Sequence, residues 1–357
     1  INYVRTVPQY LEIKDNAMDF TIIDIANKAK VSKSTVSRVL NNSGYVSEKA
    51  REKVNKAVKE LNYVPSAMAQ GLSKKTSNTV GVLIPELQNY FFTELLQGLS
   101  EVVDNKGMTL IFSDTANDPI KQEKALLMIK GQRVKGLILT PANEYSSKKQ
   151  NLELIKSLKA LHLPIVIVDR EIPDSPWDTV LFENFNAGYL ATKALIKGGN
   201  KTIGIITGDM NLKIARERYD GYLCAMKEHN IEIDKKYIFN GDFTANTAYE
   251  ITKNLFENSS NVPDGFVTCN NQSSIGFLRA TLEKNLKAGK DFAVVGIDKI
   301  NLIKEFNIPF SYINRDTYLM GKKAMEILID RSENPTKEKM ECIMPAKFVS
   351  LGTEKKK

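Results

Sequence analysis

Residues 21–40 read TIIDIANKAKVSKSTVSRVL and predict two short helices joined by a tight turn. Thr21 followed by Asp24 has the spacing of a capping box, which marks the start of a helix. The apolar residues that return at helical spacing in the two halves are Ile22, Ile25, Ala26 and Ala29, then Val36, Val39 and Leu40. The outer face of the second helix carries Lys33, Ser34, Ser37 and Arg38. This pattern is typical of a helix-turn-helix, whose second helix enters the major groove of DNA.

An ordinary helical hairpin with a solvated basic face is the competing interpretation of this stretch. The following residues favour DNA binding, because a third helix capped at Ser47 would complete a small core with Val54, Val58 and Leu61. Charge agrees with this choice: residues 18–77 hold eleven Lys or Arg against five Asp or Glu, a difference of +6 within a formal net charge of +8. Such a local excess supplies the salt-dependent attraction to phosphates that holds a protein on duplex DNA.

The remainder of the 357-residue chain predicts an α/β core. From residue 79 onward, helical stretches alternate with ten short β-branched runs: TVGVLIP, MTLIFSD, GLILTP, PIVIVDR, TVLFEN, TIGIITG, YIFNG, GFVTCN, FAVVGID and FSYINR. Strands that alternate with helices form parallel sheets covered by helices on both faces. The length suggests two such units, so we expect a small all-α headpiece followed by two doubly wound parallel-sheet lobes.

Enzymes, metalloproteins and membrane proteins are disfavoured by what the sequence lacks. The three cysteines are far apart, His162 and His229 are isolated from them, and no GxGxxG, P-loop or GxSxG motif occurs. We therefore expect no catalytic residues, no metal and no cofactor. No apolar run reaches the roughly 20 residues that cross a bilayer, and no signal peptide is evident, which predicts a cytoplasmic protein. A carbohydrate-binding receptor without a DNA-regulatory role is the alternative function.

Three motifs resemble the LacI (lactose repressor) family of bacterial transcription regulators: TVSRVLNNSGYVSEKAREKV at 35–54, NYVPSAMAQGLSKK at 62–75 and TVGVLIPELQNYFF at 79–92. The resemblance runs from about Met18 to the C-terminus, so residues 1–17 are expected to be an extension, disordered or non-native. It implies a headpiece at 18–63, a hinge helix at 64–77 and a core at 78–357. Within the core it implies an N-lobe at about 78–176 plus 308–336 and a C-lobe at about 177–307 plus 337–357, with three crossings of the chain.

Residues of the predicted recognition helix divide by the chemistry of their contacts. Lys33, Ser34 and Arg38 are expected to meet base edges, since Arg or Lys to guanine is the commonest specific contact. Ser32, Thr35, Ser37 and Asn41 suit phosphate oxygens, which set register without reading sequence. The resemblance places Leu72 as an apolar wedge in the minor groove, where such side chains kink the duplex. It also implies a homodimer on a near-palindromic operator.

The predicted effector site lies at strand ends, because open α/β sheets bind ligands beyond the carboxyl ends of their strands. The resemblance extends to sugar-binding cores of periplasmic receptors and matches the polar residues Asn89, Asp169, Arg170, Arg218, Asn270 and Asp298 and the aromatic residues Phe91, Phe92 and Phe243. Carboxylate, amide and guanidinium groups bind sugar hydroxyls, and aromatic faces cover C–H patches. Two alternatives stay open, namely that Phe91 or Phe92 belongs to the core and that Asp169 caps a helix.

Arg315 departs from the family pattern, since many members have glutamine six residues before the glycine that corresponds to Gly321. Together with Arg170 and Arg218 it would give three guanidinium groups, which favour a sugar acid or sugar phosphate. If instead Arg315 pairs with Asp316, Asp169 or Asp298, the pocket suits a neutral sugar. The function expected from the whole sequence is a repressor of carbohydrate-utilisation genes whose operator affinity is controlled by such a small ligand.

Overall fold

The computed structural model describes residues 20–41, 43–63, 78–142, 148–259 and 261–356. The chain divides into two compact units, Ile1–Ser77 and Asn78–Lys357. The extension expected at 1–17 and the hinge predicted at 64–77, including Leu72, lie outside the described residues. Within the described parts no helix is long and apolar enough to span a membrane.

The first unit contains three helices, α1 (Ile22–Ala29), α2 (Lys33–Leu40) and α3 (Glu48–Glu60). The predicted capping box forms at the start of α1, where the Thr21 side chain accepts from the Ile23 amide and Asp24 accepts from the Thr21 amide. Apolar residues from all three helices are buried against one another: Ile25, Ala26, Ala29, Val36, Val39, Val54 and Ala57. The prediction for α3 was wrong in one detail, because Ser47 stands at the capping position but its side chain makes no capping hydrogen bond.

The second unit contains, among its described residues, two six-stranded sheets. Its strands are β1 (Thr79–Ile84), β2 (Thr109–Asp114), β3 (Gly136–Leu139), β4 (Ile165–Val168), β5 (Asp178–Phe182), β6 (Ile203–Ile206), β7 (Ile238–Phe239), β8 (Gly265–Thr268), β9 (Ala293–Ile297), β10 (Ser311–Asn314), β11 (Glu341–Met344) and β12 (Lys347–Val349). Its α-helices are α4 (Tyr90–Asn105), α5 (Pro119–Gly131), α6 (Lys148–Lys159), α7 (Asn184–Lys197), α8 (Lys213–Glu228), α9 (Ala245–Asn258), α10 (Asn271–Glu283), α11 (Asn301–Glu305) and α12 (Thr317–Glu333).

Each sheet is the centre of one lobe. The first lobe has the strand order β11-β5-β4-β3-β1-β2, and all of its pairings are parallel. The second lobe has the order β12-β10-β9-β8-β6-β7, in which only β12 runs antiparallel to its neighbour. Buried apolar clusters lie on both faces of both sheets. The predicted architecture of two doubly wound lobes is confirmed.

The predicted lobe boundaries were wrong for three strands. Residues 178–182 and 341–344, assigned to the C-lobe, are β5 and β11 of the first sheet, and residues 311–314, assigned to the N-lobe, form β10 of the second. The chain therefore crosses between lobes after β5, after β10 and after β11. A crossing between finished elements leaves every strand paired, whereas a boundary drawn through a sheet would leave backbone groups unpaired.

Helices α7 and α8 approach each other closely because glycines face the contact. A methyl group on Gly188 would lie 1.9 Å from the Arg218 carbonyl oxygen, and one on Gly221 would lie 2.1 Å from the Phe185 carbonyl oxygen. Only glycine lets the two backbones come this near. The approach places Arg218 of α8 beside the first residue of α7, Asn184.

Candidate functional site

The exposed face of α2 carries the three side chains that the sequence assigned to base edges. Lys33, Ser34 and Arg38 are all exposed, whereas Val36 and Val39 on the opposite side are buried. The helix therefore presents two cations and a hydroxyl to solvent over little more than one turn. This arrangement has the size and charge to enter a major groove.

The four residues assigned to phosphate contacts flank that face and also form hydrogen bonds at the two ends of the helix. The Ser32 hydroxyl accepts from the Thr35 amide at 3.1 Å and lies 2.8 Å from the Thr35 hydroxyl. At the other end, Asn41 Nδ2 donates to Ser37 Oγ at 3.3 Å. A capping hydroxyl fixes the helix start, and the amides of the first turn point outward where an anion binds favourably.

Two arginines and two aspartates form a buried cluster where the lobes meet. Arg218, Arg315, Asp169 and Asp298 are 1%, 5%, 5% and 6% exposed. Arg315 donates two parallel hydrogen bonds to Asp298, from Nε to Oδ1 at 2.7 Å and from Nη2 to Oδ2 at 2.6 Å. Its Nη1 lies 3.6 Å from Asp169 Oδ1. Asp169 follows a strand of the first lobe and Asp298 one of the second, so Arg315 bridges the two lobes.

Asn184 joins the two arginines and was not predicted. Its Oδ1 accepts from Arg218 Nε at 3.0 Å and Nη2 at 2.8 Å, and lies 3.4 Å from Arg315 Nη1. Arg218 Nη1 also donates to the Cys269 carbonyl oxygen at 2.5 Å. Asn184 is the last residue of the strand run TVLFEN, so the strand-end criterion that selected Asp169 and Asp298 was available for it as well.

The charges of the cluster follow from burial and from neighbours. Burial, and then the charge of Arg315, lower the pKa of Arg218 to about 10, which leaves it protonated at neutral pH. Burial also disfavours the charge of Arg315, but Asp298 and Asp169 together outweigh that effect and raise the pKa of Arg315. Burial raises the pKa of Cys269 to about 12, so this thiol stays neutral. The cluster thus holds two positive guanidinium groups opposite two aspartates.

Aromatic rings cover both arginines. The Arg315 guanidinium lies 4.8 Å from the Phe91 ring centre and 5.1 Å from that of Phe182, and the Arg218 guanidinium lies 5.3 Å from that of Phe243. These are cation–π distances. Phe92 instead packs edge-on against Phe91, with 5.0 Å between ring centres, in the apolar core of the first lobe. Phe91 belongs to the same core, so the structure brings Phe91 and Phe243 to the cluster, whereas Phe92 contacts only the core.

Arg170 is directed elsewhere in the first lobe. Its Nη1 donates to Asn117 Oδ1 at 2.8 Å and to the carbonyl oxygens of Pro141 and Ala142 at 3.0 and 2.8 Å. All three partners follow strands of the first sheet. The three guanidinium groups that the sequence suggested are therefore not assembled by these contacts into one anion-binding group.

The two predicted asparagines act at helix starts close to the cluster. Asn89 caps α4, and its Oδ1 also accepts from Asn271 Nδ2 of the second lobe at 3.1 Å. Asn270 caps α10 through Ser273 and donates from Nδ2 to the Phe243 carbonyl oxygen at 2.9 Å. The first contact joins the lobes, and the second holds the Phe243 backbone.

Three of the predicted effector residues have left-handed backbones. The φ angles are 63° at Asp169, 71° at Phe243 and 71° at Asp298. Asp tolerates this region, but a bulky residue such as Phe adopts it at a cost of about 1–3 kcal/mol. Such residues persist where the surroundings hold them and are concentrated at ligand sites.

Comparison with known proteins identifies the family. The family of bacterial regulatory proteins of the lacI type matches residues 21–66, and the periplasmic binding protein domain family matches residues 80–335. The chain belongs to the LacI family. The resemblance predicted from the motifs is confirmed.

Individual relatives of this LacI-family chain agree in length and fold. The HTH-type transcriptional repressor PurR of Haemophilus influenzae (strain PittEE) is 33% identical over 87% of this chain and 90% of the relative. The lac repressor dimer bound to operator and the anti-inducer ONPF is 26% identical with a TM-score of 0.81, and the CelR–cellobiose complex is 25% identical with a TM-score of 0.69. Each alignment covers 94% of this chain and 99% of the other.

Membership of the LacI family decides the class of function. The chain is a DNA-binding transcription regulator with a ligand-binding core, and not an enzyme, because its relatives are transcription regulators. In the parts of this chain that the structure describes, no group of three or more His, Cys, Asp or Glu side chains is arranged to hold a metal ion.

Proposed function

We propose that the protein is a cytoplasmic repressor that binds near-palindromic operator DNA as a homodimer and responds to a carbohydrate held between its lobes. Lys33, Ser34 and Arg38 read bases in each half-site, Ser32, Thr35, Ser37 and Asn41 hold phosphates, and Leu72 enters the minor groove. The lac repressor dimer bound to operator supports the dimer and the DNA partner, and the CelR–cellobiose complex supports the ligand class.

The ligand carries no acidic group. The bidentate pair of hydrogen bonds between Arg315 and Asp298 supports this proposal. An acidic ligand would have to displace Asp298 and leave its charge buried without a partner, which costs several kcal/mol. Hydroxyl groups can instead donate to carboxylates and accept from guanidinium groups without any change of charge. Of the two ligands that the sequence left open, the geometry favours the one without negative charge.

Ligand binding acts on DNA by changing how the lobes are arranged. Besides Arg315, the contacts that join them include Asn271 Nδ2 to Asn89 Oδ1, and Lys299 Nζ to Glu94 Oε1 at 2.7 Å. A ligand that binds one arrangement more tightly shifts the population towards it. Coupling of this kind typically amounts to about 1–3 kcal/mol, or roughly 5- to 150-fold in operator affinity.

The ligand class is tested by thermal-shift screening of the purified chain against neutral sugars, amino sugars, sugar acids and sugar phosphates. A ligand that binds only the folded state raises the melting midpoint. We expect hits without acidic groups, and we expect those hits to change affinity for an operator selected from random-sequence DNA. Hits confined to acids or phosphates would overturn the proposed ligand class, and failure to select any inverted-repeat DNA would overturn the proposed operator.

A further inference from the structure

A cavity of about 400 Å³ lies beside the buried cluster, with walls from both lobes. Asp169 and Glu171 line it from the first lobe, Lys213 and Glu217 line it from α8 in the second, and Glu183 lies at the crossing between them. Apolar side chains, among them Phe182 and Ile214, form much of the remaining wall, together with the amides of Asn184 and Asn186. The cavity therefore combines an apolar surface with a concentration of carboxylates.

Negative charge exceeds positive charge in this wall, since four carboxylates face one ammonium group. Lys213 Nζ lies 2.6 Å from Glu171 Oε1 and 3.5 Å from Glu217 Oε1. Although burial disfavours the charge of Lys213, its hydrogen bond to Glu171 and the charges of Glu171 and Glu217 together raise its pKa above the ordinary value. A cation is thus already stabilised between these two glutamates, and the Glu171 contact links the lobes.

Asp169 supplies a second, independent indication of a ligand in this cavity. No described residue donates a hydrogen bond to its Oδ1, which is buried. The nearest cation, Arg315 Nη1, lies 3.6 Å away, beyond hydrogen-bond distance. The charge of Arg315 compensates the Asp169 carboxylate in part, and a ligand N–H or O–H would supply the hydrogen bond that Oδ1 lacks.

We propose that this acidic cavity binds the protonated amine of the effector, and that the effector is an amino sugar. The proposal rests on the proposed function of the cleft as a carbohydrate site. The ammonium group lies between Asp169 and Glu217 and competes with Lys213 for the glutamates. The ring covers the apolar wall, and its hydroxyls reach the arginine–aspartate cluster.

Matched ligands test the charge preference on the full-length protein. Calorimetric titration would compare 2-amino-2-deoxyhexoses of gluco, galacto and manno configuration with the parent hexoses and the corresponding uronic acids. We expect at least one amino sugar to bind about tenfold or more tightly than its parent hexose, which corresponds to about 1.4 kcal/mol. The uronic acids are expected to bind most weakly.

Two substitutions, one that removes a negative charge and one that removes a positive charge, should change ligand preference in opposite directions. Residues that only support the fold would not give this result. Glu217→Gln should lower the ratio of amino-sugar to hexose affinity by about tenfold, because it removes a partner of the ammonium group. Lys213→Gln should raise that ratio, because it removes the competing cation. Glu101→Gln is the matched control: its carboxylate pairs with Lys322 on the outside of the first lobe at 2.7 Å, and the ratio should not change.

The outcomes separate this inference from the proposed function. If hexoses bind and amino sugars bind no more tightly, the cationic subsite is wrong while the carbohydrate site stands. The subsite is also wrong if Glu217→Gln and Lys213→Gln move the affinity ratio in the same direction. If no carbohydrate of any charge binds or alters operator affinity, the proposed function itself has failed.

Discussion

Arg315 is the residue whose environment decides the chemistry of the cleft. Its guanidinium group is buried, flanked by Phe91 and Phe182 and hydrogen-bonded to both oxygens of Asp298. Removing one partner of a buried ion pair leaves the other charge uncompensated, whereas removing both is often much less costly. Arg315 therefore connects a carboxylate of the second lobe to aromatic rings of the first.

Arg315→Gln should destabilise the second unit by about 3–5 kcal/mol, because Asp298 loses its partner in a buried site. Urea denaturation followed by circular dichroism would measure this loss. The double substitution Arg315→Gln with Asp298→Asn should recover a substantial part of it, because no charge is then left alone. Additive losses from the two single substitutions would show that the pair is not coupled.

In the DNA-binding helix α2, Arg38 is the residue that we expect to decide base preference. Arg38→Ala should weaken operator binding by about 1–3 kcal/mol and relax the preference at one base pair of each half-site. Fluorescence anisotropy with a set of single-base operator variants measures both effects. Lys56→Ala, which removes the same charge from α3, serves as the control and should leave base preference unchanged. An equal loss on every sequence would mean that Arg38 contacts a phosphate.

At the scale of the element, the start of α1 depends on one carboxylate. The Thr21 amide, and then the Thr21 hydroxyl, lower the pKa of Asp24 from its ordinary value of 3.8. Because folding lowers the pKa of Asp24, the carboxylate stabilises the folded state at pH values above 3.8. This stabilisation is lost as the pH falls through the lowered, folded-state pKa. Hydrogen exchange of α1 amides at matched pH should show wild type better protected than Asp24→Asn above pH 4. The difference should shrink towards pH 2, and a difference that grows with acid would contradict the capping account.

The α7–α8 contact is the element pair that positions Arg218. Gly188→Ala would place a methyl group 1.9 Å from the Arg218 carbonyl oxygen, so the helices must separate. Overpacking of this kind costs about 1–3 kcal/mol, and here it should also weaken effector binding. Gly131→Ala is the matched control, since nothing lies within 4 Å of the added methyl group at the end of α5. It should be neutral or slightly stabilising, and equal losses at both sites would rule out the close-approach explanation.

At the scale of the whole second unit, a carboxylate of the first lobe binds the second. Glu94 accepts from Lys299 Nζ at 2.7 Å and from Asn301 Nδ2 at 3.1 Å, and its Oε2 accepts from the Thr317 hydroxyl at 2.7 Å. Burial disfavours the charge of Lys299, but the hydrogen bond with Glu94 and the negative charge of Glu94 and other neighbours together raise the pKa of Lys299. This contact favours the arrangement of lobes seen in the structure.

Glu94→Gln should weaken effector binding several-fold, because it removes charge attraction that holds the lobes together before the ligand arrives. By linkage, the response of operator affinity to the effector should change with it. Calorimetry and operator titration measure the two quantities. Glu101→Gln on the same helix breaks an ion pair within one lobe and should change neither. Loss of stability without any change in effector affinity would show that Glu94 does not influence lobe arrangement.

The amino-acid sequence by itself determined the local features of this protein. Capping at Thr21, the apolar spacing of α1 to α3, ten strands and most of the polar strand ends were predicted, because each depends on residues a few positions apart. The edge strands β11 and β12 were missed, since they are short, largely exposed and lack a β-branched run. The side-chain placement of Arg38 and its neighbours on one exposed face also followed from helical periodicity.

Only the tertiary structure decided which lobe holds β5, β10 and β11, and what Arg315 binds. The sequence left three aspartates as candidate partners of Arg315. Asp298 is the one that forms two hydrogen bonds with it, because the adjacent strands β9 and β10 place the two residues side by side. Asn184 reaches Arg315 although the two are 131 positions apart, because the first and second crossings of the chain run together between the lobes. Contacts between residues so far apart in sequence depend on how the two sheets pack against each other, and the local spacing of residues does not predict that packing.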